Sequence, residues 1–188
     1  MRRMARHLAA YVHSDDPLAA ASNAIAIVVA FNQPFFPLSI RWLVGDDGGA
    51  SHVTFFSMPL FLAVPAVSRL SSLAGRAMLP VVGIFNTLAS AVALGAASGV
   101  EMFLFPCAMI AAMSLRRSER LVMLGIVGLA LAGYVLLHER AVAANTLFSP
   151  AEYEKIVSLN VWSVAALIIF AAWHFSNAAA PSAQPTKP

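Results

Sequence analysis

Apolar residues in this chain are gathered into long runs separated by short polar or basic segments. Residues 85–120 show the pattern well: the apolar stretches FNTLASAVAL and VEMFLFPCAMIAAMSL flank the small-residue segment GAASG, and the basic segment RRSER follows. A hydrocarbon layer about 30 Å thick requires about 20 apolar residues of α-helix. The region therefore predicts a tight transmembrane hairpin.

The same criterion divides the whole chain into six membrane-spanning helices, so the predicted fold is an all-α, polytopic bundle. Within a transmembrane domain of residues 17–176, the predicted spans are 17–44, 52–70, 77–97, 99–115, 121–137 and 150–175. Residues 1–16 are a cytoplasmic arm, either a short interfacial helix or a frayed basic segment. Residues 177–188 are polar and contain proline, which predicts a disordered cytoplasmic tail.

Local signals support several of these boundaries. Asp16-Pro17 offers an acidic N-cap followed by proline at the first helical position. Ser149-Pro150-Ala-Glu152 and Ser98-Gly-Val-Glu101 both have the spacing of a capping box. Asn32-Gln33-Pro34 interrupts the first span, and a proline inside a helix predicts a kink there.

Composition restricts the class of protein further. Hydrophobic residues make up 60% of the chain, charged residues make up 11%, and the mean hydropathy is +0.76, which excludes a soluble core of ordinary size. The single cysteine, Cys107, rules out a disulfide framework and a cysteine metal cluster. The sequence lacks a nucleic-acid-binding signature, a catalytic triad pattern, a phosphate loop and the HExxH and CxxC motifs, so we expect no enzymatic activity.

The distribution of basic residues predicts orientation in a bacterial inner membrane. Nine of the twelve lysines and arginines fall on the side of the N-terminus: Arg2, Arg3, Arg6, Arg69, Arg76, Arg116, Arg117, Arg120 and Lys187. Arg41, Arg140 and Lys155 fall on the other side. Cytoplasmic loops carry an excess of basic residues, so both termini are predicted to be cytoplasmic.

Polar side chains at membrane depth are candidates for a binding site, because each is unfavourable in lipid without a partner. Asn32, Gln33, Asn86, Glu101 and Asn160 map to the outer halves or the centres of their spans. They predict an outward-opening pocket for a small lipophilic ligand. We also expect an ion pair between Arg41 and Glu101. The alternative is that Glu101 only caps its helix and the asparagines are interhelical hydrogen-bonding groups.

The histidines leave a second function open. His52 and His138 would lie at the outer face, and His13 and His174 at the inner face. Two bis-histidine pairs could hold b-type haem, although histidine is also common at helix ends. Without haem we expect no cofactor. A small transporter is a further alternative, but the sequence shows no inverted repeat of broken helices.

The order of elements resembles the six-helix membrane domain of CqsS-type quorum-sensing histidine kinases and the hexahelical membrane anchors of bacterial class III adenylate cyclases. The resemblance covers residues 12–177 and rests mainly on three stretches: FNTLASAVALGAASGVEMFLFPCAM, RRSER and VSLNVWSVAALIIFAAWHFSN. It implies a receptor-like anchor that binds a lipophilic molecule and acts on a cytoplasmic kinase or cyclase partner through the last helix. Some such anchors are reported to contain haem and respond to quinones.

The resemblance also implies site residues. By position, the ligand-facing sites of the fourth and sixth spans correspond to Glu101, Leu104, Asn160 and Ser163. No kinase or cyclase domain follows the last span in this sequence. We therefore expect an excised sensor module or a stand-alone protein that signals through a partner or a homodimer, in contact with membrane lipids.

Overall fold

The computed structural model describes residues 2–45, 49–140 and 147–179 of the chain. These residues form α-helices and short 3-10 segments, and contain no strand. The α-helices are α1 (Arg2–Val12), α2 (Pro17–Asn32), α3 (Phe35–Val44), α4 (Met58–Leu70), α5 (Ser72–Leu94), α6 (Leu104–Ser114), α7 (Arg120–Arg140) and α8 (Pro150–Ala179). The 3-10 segments are Ala50–Ser57, Ala96–Ser98, Val100–Phe103 and Arg117–Glu119. The all-α fold class predicted from the sequence is confirmed.

Several helical segments are long and apolar enough to cross a membrane. Four such segments occur in the described residues: Ala50–Leu70, Ser72–Leu94, Arg117–Leu137 and Pro150–Ala179. The pair α2–α3 gives a fifth if its two bent helices form one broken span. Val100–Ser114 is apolar but shorter than these. The described chain thus has four or five candidate membrane spans, whereas the sequence predicts six.

The predicted kink in the first span is present. α2 and α3 meet at an angle of 40° across Gln33-Pro34. The Gln33 N–H still donates to the carbonyl oxygens of Val29 at 3.2 Å and Ala30 at 3.3 Å, so α2 closes normally. Pro34 has no N–H to continue the helix, and the chain turns there. The break leaves the Gln33 side chain inside the bundle, where it is buried.

Capping residues explain where the helices begin. The N–H of Leu18 donates to Asp16 Oδ1 at 3.0 Å, so Asp16 caps α2 as predicted. α5 begins at Ser72, five residues before the predicted span at 77, because the Ser71 hydroxyl accepts a hydrogen bond from the N–H of Ala74. Of the two alternatives for residues 1–16, a helix is observed over Arg2–Val12.

One predicted capping box forms in part and the other does not form. The N–H and the hydroxyl of Ser149 both donate to the Glu152 carboxylate, at 2.7 and 2.8 Å. At the other site the prediction is wrong. The N-cap is Gly99, which has a φ of +70° and makes no side-chain cap, while the Ser98 hydroxyl donates back to the carbonyl oxygen of Gly95.

α5 is the central helix of the bundle, since it contributes to all three clusters of buried apolar residues. Leu79 and Val82 pack in a cluster with residues of α2, α4, α6 and α8. Ile84 packs with residues of α6 and α7. Leu94 packs with residues of α3 and the start of α8. Side chains along α5 are therefore close to almost every other helix.

Side-chain contacts define the arginine-rich end of the bundle. Arg76, near the start of α5, lies 3.4 Å from the carboxylate of Asp16, the cap of α2. Arg116, between α6 and α7, lies 3.0 Å from the same carboxylate. Arg69, near the end of α4, donates to the backbone of α1. The starts of α2 and α5, the end of α4 and the α6–α7 turn therefore lie together.

The opposite end is defined in the same way. The Tyr153 hydroxyl, near the start of α8, donates to the carbonyl oxygen of Leu94 at the end of α5. Lys155 donates to the carbonyl oxygen of Leu43 at the end of α3. α7 starts at the arginine-rich end and reaches the 96–103 segment at the other. The helices thus run back and forth between two ends.

Candidate functional site

A cavity of about 600 Å³ lies inside the bundle. Its walls come mainly from α2, α5, α6 and α8, with further residues from α3, α4 and the 3-10 segments Ala50–Ser57 and Val100–Phe103. No acidic or basic side chain of the described residues lines it. The volume suits a small molecule, and the lining favours an uncharged one.

The cavity is polar towards one end and apolar towards the other. Along α5, from the arginine-rich end, the lining residues are Leu79, Pro80 and Gly83, and then Asn86, Thr87 and Ser90. α2 runs in the same direction and changes from Val28 and Val29 to Asn32 and Gln33. α8 runs in the opposite direction and changes from Ser163 to Leu167 and Phe170. Polar groups on three helices therefore meet in the half of the cavity farther from the arginine-rich end.

Gln33 and Asn86, which line the polar half, are linked through Ser57, which does not line the cavity. The Gln33 amide nitrogen donates to the Ser57 hydroxyl at 3.0 Å. The Ser57 oxygen lies 2.8 Å from Asn86 Oδ1 and also 2.8 Å from the carbonyl oxygen of Thr54. A hydroxyl carries one proton, so Ser57 donates to only one of these oxygens at a time. The Asn86 amide, which lines the cavity, therefore has hydrogen-bonding capacity left for a bound molecule.

The serines and threonine of the lining differ in whether the protein already satisfies them. The Thr87 hydroxyl donates to the carbonyl oxygen of Gly83 at 2.9 Å, and the Ser163 hydroxyl donates to that of Leu159 at 2.8 Å. Ser90 is 2% exposed, and its hydroxyl has no hydrogen-bond partner in the described part of the protein. A buried hydroxyl without a partner is unfavourable, which makes Ser90 the group that gains most from a polar ligand atom.

Four of the seven predicted ligand-binding residues line the cavity: Asn32, Gln33, Asn86 and Ser163. Glu101, Leu104 and Asn160 do not line it. Leu104 is 2% exposed and packs with apolar residues of α5 and α7. Asn160 is fully buried, and its amide nitrogen donates to the carbonyl oxygen of Ser98 at 2.9 Å. Asn160 therefore joins α8 to the turn before α6.

The predicted ion pair between Arg41 and Glu101 is not formed among the described residues. Arg41 is exposed on α3 and takes part in none of the ion pairs found there. Glu101 lies half-buried in the 3-10 segment that precedes α6. An exposed arginine near a helix end can keep its guanidinium solvated, so its charge is stable without an ion pair to a buried acid.

The histidines proposed for haem do not come together in the described part of the protein. His13 and His52 are exposed, and His52 packs against Phe55. The His174 ring packs against Phe170, with 4.5 Å between the ring centroids. The side chain of His138 lies outside the described residues, as does the predicted tail beyond residue 179. No hydrogen bond or ring contact joins two of the described histidines.

A second polar site, at the arginine-rich end, is formed by ion pairs between side chains. The Arg76 side chain is 1% exposed and forms a two-pronged pair with Glu119, with both N···O distances at 2.7 Å. Its Nη1 also donates to the carbonyl oxygen of Ser114 at 2.7 Å, and its Nε donates to the Ser72 hydroxyl at 3.0 Å. Such geometry satisfies a buried guanidinium far better than a single ion pair does.

Asp16 joins this arrangement from the start of α2. Its carboxylate accepts hydrogen bonds from the Ser72 hydroxyl and the Leu18 N–H and pairs with Arg76 and Arg116. Burial raises the pKa of Asp16, but the hydrogen bonds and the two arginines outweigh it and hold the pKa below its usual value. We call Asp16, Ser72, Arg76, Arg116 and Glu119 the ion cluster.

The ion cluster and Ser90 are absent from the sequence-based predictions. From the sequence, Arg76 and Arg116 are predicted only to be flanking charges that orient the chain. A signal was present for Ser90, because Asn86, Thr87 and Ser90 follow one another at helical spacing on one face of α5. For Arg76 the partner Glu119 is 43 residues away, and no local pattern links them.

Comparison with known proteins supports a sensor assignment. The model of the family MASE7 matches residues 16–184, which is most of the chain. No curated protein and no solved structure gives a significant match. The match covers α2 to α8, including the cavity and the ion cluster, and begins after α1. The chain therefore belongs to MASE7, a family of membrane-associated sensor domains.

Proposed function

We propose that the chain is a six-span receptor module of the bacterial inner membrane that binds a small, uncharged amphiphile and passes the binding event to a cytoplasmic signalling partner. It carries out no catalysis of its own. The observation that carries the proposal is the cavity, which combines about 600 Å³ of space with polar groups gathered in one half. Pockets of this size with a few convergent polar groups are the usual form of small-molecule sites.

The positions of the helix ends support the proposal of six crossings. Val100–Ser114 is short, but it begins beside Ser98, which contacts α8 at the opposite end, and it finishes at Ser114, which contacts Arg76 at the arginine-rich end. The bent pair α2–α3 runs in the other direction, from Asp16 beside Arg76 to Leu43 beside Lys155 near the start of α8. Each therefore connects the same two faces as the four longer segments. The arginine-rich end faces the cytoplasm under the positive-inside rule.

The lining restricts the chemistry of the ligand. A charged head group would be desolvated without a counter-ion, because the described lining has no acidic or basic side chain. Hydroxyl, carbonyl or amide groups on the ligand can pair with Ser90 and Asn86. The apolar part of the cavity extends from Asn86 to Leu79 along α5, about 10 Å at 1.5 Å per residue. An uncharged head with a medium-length aliphatic chain fits both halves.

α8 is the element best placed to report binding. It contributes Trp162, Ser163, Leu167 and Phe170 to the cavity wall, and its final residues lie towards the arginine-rich end. None of the residues of the ion cluster belongs to α8, so this helix can shift while α2, α5 and the α6–α7 turn stay together. A ligand moves α8 only if it binds one arrangement more tightly than the other. The receiver would be a cytoplasmic kinase or cyclase, or a second copy of the chain.

Photoaffinity labelling tests the site directly. The chain in lipid nanodiscs would be irradiated with a photoreactive long-chain alcohol and digested for mass spectrometry. We expect labelling in residues 83–90 and 162–170, and competition by 1-decanol but not by decanoate or decyltrimethylammonium. Labelling spread evenly over exposed surfaces such as α7, or equal competition by the charged amphiphiles, would contradict the proposal.

Ser90→Ala provides the matched variant. The Ser90 hydroxyl has no hydrogen-bond partner among the described residues, so its removal should leave the unfolding temperature unchanged or slightly higher. Loss of one hydrogen bond to the ligand should weaken competition by 1-decanol about fivefold. Ser163→Ala is the control, because that hydroxyl already donates to the carbonyl oxygen of Leu159. Equal competition for both variants would argue against Ser90 as a ligand contact.

Signal transfer has its own test. With the C-terminus fused to a cyclase catalytic domain, 1-decanol should change cyclic nucleotide production, and Ser90→Ala should shift the concentration required. If labelling still occurred but cyclic nucleotide production did not change, the chain would bind the ligand without acting as a receptor.

A further inference from the structure

The cavity wall contains four exposed residues among those described, and they come from two helices only, α2 and α8: Val28, Asn32, Trp162 and Ala166. Trp162 is 74% exposed and Val28 is 46% exposed, although both also line the cavity. A side chain that lines a cavity and is also largely exposed marks an opening in the wall. The wall is therefore incomplete between α2 and α8.

The spacing of these residues outlines one opening. Val28 and Asn32 are four residues apart on α2, and Trp162 and Ala166 are four residues apart on α8. Each pair therefore lies on one face of its helix. Because the two helices run in opposite directions, Asn32 and Trp162 lie towards the polar half of the cavity, and Val28 and Ala166 lie towards the apolar half. We call these four residues the window.

Buried residues close the cavity at both of its ends. Beyond the polar half, Ile40, Leu94 and Ile156 pack in one cluster. Beyond the apolar half, Ile25 and Ala171 belong to another. All five residues are 0% exposed. These clusters separate the cavity from both aqueous faces, so the window is its connection to the outside.

The bend in the first span allows α2 and α8 to separate at the window. α2 packs with α8 in the cluster that contains Ile25 and Ala171, and α3 packs with α8 in the cluster that contains Ile40 and Ile156. Between these clusters α2 and α3 meet at an angle of 40°, whereas α8 is one continuous helix. A bent span can touch a continuous helix near both of its ends and stand away from it in between.

We propose that the window opens into the hydrocarbon core of the bilayer and that the ligand enters the cavity through it, from within the membrane. The window lies near the middle of the first span, at the depth of the acyl chains. Asn32 offers a polar group at the entrance, since an amide at membrane depth is unfavourable without a partner. The inference rests on the proposed function, because it takes the cavity as the ligand site. It narrows the ligand to amphiphiles that partition into the bilayer before they bind.

A lipid-bound photolabel tests this route. The chain would be placed in nanodiscs that contain phosphatidylcholine with a diazirine on one acyl chain, irradiated, and digested for mass spectrometry with assignment to single residues. This probe stays in the bilayer, so it reaches the cavity only from the side. We expect labelling at Thr87 and Ile110, which line the cavity and are both 3% exposed.

Bulky residues in the window should block the labelling. Ala166→Trp fills the opening from α8 and Val28→Trp fills it from α2, so each should reduce labelling of Thr87 and Ile110 to background. The unfolding temperature should not change, because both substituted positions are exposed. Ala132→Trp is the control, because Ala132 is exposed on α7 and does not line the cavity. It should be labelled like the unaltered chain.

Removal of an indole from the window should have the opposite effect. Trp162→Ala widens the opening and should raise labelling of Thr87 and Ile110 severalfold. Trp173→Ala is the matched control, because Trp173 is 68% exposed on the same helix and does not line the cavity. It should leave the labelling unchanged.

Labelling of α7 without labelling of Thr87 and Ile110 would overturn the proposal. So would equal labelling of these two residues in the Ala166→Trp and Ala132→Trp variants. If the free photoreactive alcohol labelled the cavity and the lipid-bound probe did not, the ligand site would stand and the route through the window would be wrong. Labelling by the lipid-bound probe without competition by 1-decanol for the free alcohol would confirm the opening and contradict the proposed ligand instead.

Discussion

The ion cluster and the cavity use buried polar groups in opposite ways. In the ion cluster all three guanidinium nitrogens of Arg76 donate to acceptors, and the Glu119 carboxylate accepts at both oxygens. In the cavity the Ser90 hydroxyl has no described partner, and Asn86 shares the single proton of the Ser57 hydroxyl with the carbonyl oxygen of Thr54. One region is satisfied by the protein itself, and the other retains capacity for something else.

The difference separates the two tasks of a sensor. Removing one member of a satisfied buried ion pair leaves a charge without a partner, which costs far more than losing a neutral hydrogen bond. The ion cluster therefore stabilises a frame of α2, α5 and the α6–α7 turn. The unpaired Ser90 hydroxyl in the cavity lowers the stability of the fold, and a ligand that bonded to it would raise that stability. Stability and binding should respond to different substitutions.

Arg76→Ala should have the largest effect. It leaves the Glu119 and Asp16 carboxylates, which are 15% and 12% exposed, without their buried partner. We expect a loss of about 3–5 kcal/mol in the free energy of unfolding, measured by thermal unfolding and by folded yield in detergent. Arg117→Ala, an exposed arginine of the same turn, should change neither.

A triple variant sharpens this result. Asp16→Asn with Arg76→Met and Glu119→Gln removes every charge that Arg76 faces, so it should be more stable than Arg76→Ala alone. If Arg76→Ala folded as well as Arg117→Ala, the ion cluster would not be the stabilising frame inferred above.

Gly83→Ala should come next, because the cavity has one tightly packed wall. A Cβ at Gly83 would lie 2.7 Å from the Cys107 sulfur on α6. We expect a loss of about 1–3 kcal/mol in unfolding free energy from this overlap. Adding Cys107→Ala should restore most of it. Gly128→Ala is the control in α7, where a Cβ meets nothing within 4 Å, and it should be neutral or slightly stabilising.

Asn160→Ala and Asn86→Ala should separate stability from binding. Asn160 holds the carbonyl oxygen of Ser98 and does not line the cavity, so its loss should lower the unfolding free energy by about 1 kcal/mol without changing ligand labelling. Asn86 lines the cavity, so its loss should weaken labelling. Weaker labelling by both variants at equal stability would place Asn160 in the site and merge the two regions.

The pH dependence should show the smallest effect. The pKa of Asp16 is lower in the folded protein than in the unfolded chain, where aspartate has a pKa of about 3.9. The stabilisation by this group is therefore complete above about pH 4 and is lost as the pH falls through the folded value. Asp16→Asn should flatten the decline in unfolding temperature below pH 4. Asp15→Asn, at an exposed neighbouring acid, should leave the decline unchanged.

The helical architecture was predictable because membrane insertion depends on the sum of side chains within a short stretch of sequence. The kink at Gln33-Pro34 and the cap at Asp16 are local for the same reason. A proline or an N-cap acts on residues within one turn. These features therefore need no knowledge of tertiary contacts.

The candidate site was only partly predictable. The sequence around a polar residue at membrane depth shows that the residue needs a partner, but it does not identify that partner. Asn86 and Asn160 both lie in apolar stretches, yet Asn86 lines the cavity and Asn160 binds the backbone of Ser98. The pairing of Arg76 with Glu119 depends on how the start of α5 and the α6–α7 turn meet in space. Positions taken from a resemblance are no more exact, as the burial of Leu104 in the apolar core demonstrates.

The sole thiol of the chain offers a way to follow the cavity without engineering. Cys107 is 6% exposed and lines the apolar half, so a small uncharged alkylating reagent can reach it through the cavity. If a compound occupies the cavity, it should slow this alkylation, so candidate ligands can be ranked by how well they protect the Cys107 sulfur.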